Sequence, residues 1–121
     1  MPISIVAEPS GPLVAHLSGV LQREEVDAAK REVFGYLMTH GTSPMLMHVK
    51  EGFAGLQNLV QWDDIPEDKF IQQHITRLAF VGDLRWRDTA LLFFFHNMVP
   101  FSMEYFPEAQ YELALAWLTT P

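Results

Sequence analysis

The chain has 121 residues, 49% apolar and 19% charged, enough for one domain around one core and too apolar for extended disorder. Eight basic residues against fifteen acidic ones give a formal charge of −7, which argues against nucleic-acid binding by phosphate neutralisation and against a purely electrostatic grip on anionic lipid. With no cysteine, disulfides, thiol catalysis and thiolate metal sites are excluded.

In chain order, Ile3-Ser4-Ile5-Val6 alternates weakly and meets the turn formers Glu8-Pro9-Ser10-Gly11-Pro12. Leu13 to Ser18 follows, so the two runs predict an antiparallel hairpin. Gly19 frees the backbone before a helix from Gln22 to about Thr39, with an apolar stripe of Val26, Ala29, Val33 and Leu37 widened by Phe34 and Met38. Arg23, Asp27 and Arg31 sit four apart on another face, where they can pair, and Gly41 supplies the stop. Met45 to Val49 reads as the third strand. Residues 53–76 read as two short helices, or one broken by Asp63-Asp64-Ile65-Pro66-Glu67-Asp68: a first from Phe53 to Leu59, then Phe70, Ile71, His74 and Ile75 at helical spacing.

Leu78 to Val81 is the fourth strand, and Asp83 is placed to cap a helix running through Trp86 to about Asn97. Met103 to Phe106 is the fifth strand, ended by Pro107. Glu108 to Leu118 forms the last helix, predicted to bury Leu113, Ala114, Trp117 and Leu118. Strands alternating with helices imply a single α/β domain over residues 1–121. Its five-stranded mixed sheet has the first strand antiparallel, the rest mainly parallel, and helices at its flanks.

Three phrases, LSGVLQREEV at 17–26, LAFVGDLRW at 78–86 and MEYFPEAQYELALAWL at 103–118, resemble the SpoIIAA-like family, a branch of the STAS domains. They correspond in order to a strand leading through glycine to the first helix, a strand-Gly-Asp-x-x-Trp turn, and a strand-to-helix segment ending Ala-x-x-Trp-Leu. The resemblance implies protein–protein or small-ligand binding rather than catalysis. STAS antagonists of the sporulation type switch by phosphorylation of a serine at the helix start after the third strand. Here that position falls within residues 51–57, which hold no Ser or Thr, so a phospho-switch is not expected. The branch is also similar to lipid carriers of the CRAL-TRIO type, which implies an apolar ligand.

Residue chemistry adds little catalytic signal. His16 and His48 lie on neighbouring predicted strands and can face each other, but no HExxH or HxH pairing appears, so no metal is expected. The acids at 63–68 lack calcium-loop spacing and fit a solvated helix start. No GxSxG elbow surrounds Ser10, Ser18, Ser43 or Ser102, and no GxGxxG or Walker loop is present; neither enzyme activity nor a cofactor is expected.

Two features stand out. Arg85-Trp86-Arg87 is either a tryptophan packed on the sheet between solvated arginines or an aromatic-plus-arginine anchor, a partner interface of Arg85, Trp86 and Phe93. Ala90 to Phe95 is six consecutive apolar residues, more than one face of a helix needs, so neighbouring elements, a second copy or a ligand must cover the rest. Phe53, Trp62, Phe70, Leu91, Phe94 and Phe95 are the expected lining of a lipophilic pocket, opened by movement of 53–76 against 89–98.

The reading is a non-catalytic binding module for an apolar small molecule such as a fatty acid, as a homodimer. The alternative is a regulatory protein-interaction domain without its phospho-switch. MPISIVAEPSG lacks the features of a signal peptide, and no apolar run approaches the roughly 18–20 residues of a membrane helix, so a cytoplasmic location is expected.

Overall fold

The computed structural model describes residues 3–7, 12–56, 66–88 and 102–119. Five strands form one sheet in chain order: β1 (Ile3–Ala7), β2 (Leu13–Leu21), β3 (Ser43–Leu56), β4 (Ile75–Val81) and β5 (Ser102–Phe106). β1 runs antiparallel to β2, and each later strand is parallel to the one before it, as the order of strands and helices in the sequence predicts. Three helices accompany them among the described residues: α1 (Arg23–His40), α2 (Glu67–His74) and α3 (Tyr111–Thr119).

Side-chain alternation along the strands builds two cores. Leu13, Ala15, Leu17, Met45, Leu78 and Phe80 face α1 and α2, where Val33, Leu37, Phe70 and Ile71 meet them. Right-handed crossovers between successive parallel strands place both helices on that one face. The intervening positions, Val14, Leu46, Ala79 and Val81, point the other way and lie under Ala114 and Leu118 of α3. Burying a leucine such as Leu46 or Leu78 stabilises by about 1.5–3 kcal/mol, so these two layers carry the fold.

The helices are tied in locally. The Gln22 N–H donates to the Glu25 carboxylate at the start of α1 (3.1 Å), and Gly41, at φ +88°, donates to the Leu37 carbonyl at its end (2.7 Å). Arg23 pairs with Asp27 at 3.5 Å, while Arg31 reaches Glu67 on α2 at 3.6 Å. Such surface pairs contribute about 0–1 kcal/mol, so the α1–α2 contact rests more on Phe34, whose ring meets Phe70 edge-on at 4.9 Å. Arg77 of β4 anchors α3: its Nη1 donates to the Trp117 carbonyl (2.6 Å), and its guanidinium lies 5.4 Å over the Trp117 ring. No described helix is long and apolar enough to cross a membrane.

Several boundaries differ from the sequence reading. Phe53 does not begin a helix; β3 continues to Leu56 and pairs with the far end of β2. Between the pairs Leu17↔Val49 and Gly19↔Phe53, β2 advances two residues and β3 four, so β3 bulges at 50–52. Gly52 (φ +97°) and Gly55 (φ +117°) supply the left-handed backbone this path requires. Gly19 is likewise a kink inside β2 rather than its end. Ile75 opens β4 instead of closing α2. Leu113, predicted to be buried, is 54% exposed because α3 turns Ala114 and Leu118 to the sheet. Leu84–Trp86 is a short 3-10 turn that continues helically at 87–88, and the rest of the predicted helix to Asn97 lies outside the described residues.

Candidate functional site

In open α/β sheets, ligand crevices form beyond the carboxyl ends of parallel strands, where successive connections leave toward opposite faces. That situation arises after β4 and β5. The turn after β4 carries Trp86 onto the face of α1 and α2, whereas the turn after β5 leads to α3 on the other. Between them lies a cleft of about 360 Å³, with Lys50, Glu51, Asp83, Arg85 and Glu108 as its charged lining and Leu84 and Trp86 as its apolar side. The β3 bulge brings Lys50 and Glu51 into this lining, a local redirection that a regular strand would not produce.

Each wall is built by specific contacts. Gly82 lies so close to β3 that a Cβ placed on it would stand 2.5 Å from the Val49 carbonyl oxygen and 2.7 Å from the Val49 Cβ. Its N–H donates to the Phe106 carbonyl (3.1 Å), binding the ends of β4 and β5 together. Asp83 then caps the turn as its position predicted: its carboxylate accepts from the Arg85 N–H (2.9 Å) and its carbonyl from the Tyr105 hydroxyl (2.7 Å). Burial, reinforced by Asp83 and Glu108, pushes the Tyr105 phenol up to about 12, so it remains a donor at neutral pH. Trp86 meets Phe53 edge-on at 4.8 Å and covers Gly55, while the Arg85 guanidinium lies 5.2 Å over the indole.

Beside the cleft, on the α3 face, three side chains form a chain of contacts. His16 and His48 are register partners on β2 and β3, with their Nδ1 atoms 3.2 Å apart. The His48 Nε2 stands 2.9 Å from both carboxylate oxygens of Glu108, and the Tyr111 ring meets His48 edge-on at 5.2 Å. Hydrogen-bond logic assigns the protons of the neutral pair. The carboxylate accepts from His48 Nε2–H, which leaves His48 Nδ1 as an acceptor for His16 Nδ1–H. One further proton, taken by the free His16 Nε2, leaves the shared bond intact. Two would set N–H against N–H.

The sequence-predicted residues divide sharply. Arg85 and Trp86 stand at the cleft. Phe53 is buried in the core, and Phe70 lies half-buried on α2, stacked on His74, so neither lines the cleft. Trp62, Leu91, Phe93, Phe94 and Phe95 lie outside the described residues, as do Asp63 and Asp64. The facing of His16 and His48 was readable from the strand pattern. Lys50, Glu51 and Glu108 were not singled out, although Glu108 directly follows the β5-ending Pro107 and so falls at the same sheet end as the cleft. Among the described residues, no group of three or more His, Cys, Asp or Glu is placed to hold a metal.

Burial first, then the charges of His48 and Lys50, lower the His16 pKa below the ordinary 6.5. Below that pH the unfolded chain binds a proton at His16 that the folded chain resists, so this term costs nothing above about 6.5 and erodes stability as the pH falls beneath it. Urea denaturation between about pH 7.5 and 5.5 should show the midpoint falling with pH, and falling less in His16→Gln. An equal fall in both proteins contradicts the assignment.

Comparison with known proteins agrees with this fold. The SpoIIAA-like family model matches residues 13–119. The fold is similar to the crystal structure of an uncharacterised DUF3478-family protein with a SpoIIAA-like fold from Shewanella loihica PV-4. That likeness has a TM-score of 0.67 at 21% identity and covers 96% of this chain and 91% of the other. No curated protein shows significant similarity to the chain. With the family match running from the start of β2 to the end of α3, the chain belongs to the SpoIIAA-like family.

Proposed function

We propose that this chain is a regulatory protein-interaction module, with the cleft between the β3 bulge and the ends of β4 and β5 as its docking surface. One observation carries the reading: Arg85, two-thirds exposed, is held over the Trp86 indole beside the exposed Leu84. Tryptophan and arginine dominate interface hot spots, and here both are pre-positioned by Asp83, Phe53 and Gly55. Mixed charge around them, Lys50 against Glu51 and Glu108, suits a polar rim that selects a partner.

SpoIIAA-like domains interact with proteins and are generally non-enzymatic, which supports a binding role. No Ser or Thr occurs between Ser43 and Thr76, so binding here does not depend on a phosphoserine following β3. Affinity capture from the native host tests the reading. Arg85→Glu and Trp86→Ala should each reduce recovery of a specific partner about tenfold, with Leu113→Ser on α3 as an unaffected control. Identical recovery by wild type and Arg85→Glu contradicts it.

A second reading, binding of a fatty acid or similar apolar molecule, is favoured by the sequence run Ala90–Phe95, six consecutive apolar residues where one face of a helix would need fewer. Native mass spectrometry of freshly purified protein should then show an extra lipid mass, and a fatty-acid panel should raise the melting temperature. A ligand-free mass with no thermal shift contradicts lipid binding. A ligand-free dimer mass points to a homodimer instead.

A further inference from the structure

We propose that His16 and His48 together bind a divalent transition-metal cation of the zinc, nickel and copper class through their two Nδ1 atoms. The two imidazoles are register partners on adjacent parallel strands, which holds their nitrogens at 3.2 Å without help from a flexible loop. Imidazole nitrogens sharing one tetrahedral metal, each at roughly 2.0–2.1 Å, stand about 3.3 Å apart. The pair is therefore set near the bite of a metal site before any metal arrives.

A second observation points the same way. The other nitrogen of His48 is engaged by Glu108 at 2.9 Å, and a carboxylate on the far side of the ring is the usual means of orienting a metal-ligating histidine. Tyr111 packs edge-on against the same ring and restrains it further. The cation takes the place of the proton shared between the Nδ1 atoms, and His16 then carries its proton on Nε2.

Nitrogen ligands select borderline cations over magnesium or calcium. No third His, Cys, Asp or Glu completes the set among the described residues, so water or a donor from a bound molecule fills the remaining positions. Lys50 acts on His16 and opposes a cation, while Glu108, in direct contact with His48, favours one.

Calorimetric titration of Zn²⁺ into the chelator-treated full chain at neutral pH tests the proposal. One saturable site is expected, weakened at least about tenfold by His16→Gln and by His48→Gln. Glu108→Gln, which keeps both ligands, should weaken it about tenfold, and His40→Gln should leave it unchanged. Nitrogen NMR of the wild-type imidazoles gives a readout independent of any variant's folding: Zn²⁺ should shift the Nδ1 signals of His16 and His48. Absence of saturable binding, binding that survives both histidine substitutions, or shifts confined to other histidines overturns it.

Discussion

The middle of β3, at Val49, and the end of β4 approach each other at Gly82 more closely than any side chain permits. The obstacle to a Cβ there is the backbone carbonyl and Cβ of Val49, neither of which can rotate aside. This contact sets where β4 stops, and the stop sets the rest. The Gly82 N–H ties β4 to Phe106 of β5, Asp83 caps the next turn and receives the Tyr105 hydroxyl, and Trp86 is delivered onto Phe53 and Gly55. The cleft is the space left when these connections diverge toward opposite faces of the sheet.

The two faces differ in how they are covered, and their chemistry differs accordingly. The face under α1 and α2 is an apolar core from Leu13 to Phe80. The other carries α3, and polar groups accompany it: Arg77 bonds to Trp117 at one end of the helix, and His48 bonds to Glu108 just before the other. Burying such groups without partners costs roughly 1–3 kcal/mol each, so these contacts both satisfy the side chains and fix the helix. The histidine pair exists because β2 and β3 are parallel and in register. A one-residue slip would send His16 into the opposite core.

Much of the fold was legible in the sequence because local signals agreed. Short apolar runs bounded by glycine, proline and other turn formers marked all five strands, Asp83 marked its turn, and the stripe of α1 predicted the burial of Val33 and Leu37. Strand order also allowed His16 and His48 to face each other, and the register of β2 and β3 makes them partners. What escaped was non-local. Phe53 to Leu59 has apolar spacing compatible with a helix, and only the β2 partner and two left-handed glycines make Phe53–Leu56 a strand. Glu108 meets His48 across 60 residues, and no local pattern reports such a contact. Lys50 and Glu51 reach the cleft only through a bulge that periodicity does not encode.

The closest test of this account is Gly82→Ala, followed by urea denaturation and amide NMR. If the Gly82–Val49 contact organises the site, the variant loses about 1–3 kcal/mol of stability, and the amide signals of Val49, Asp83, Trp86 and Phe106 move together. An alanine variant as stable as the wild type, with those signals unmoved, would contradict it.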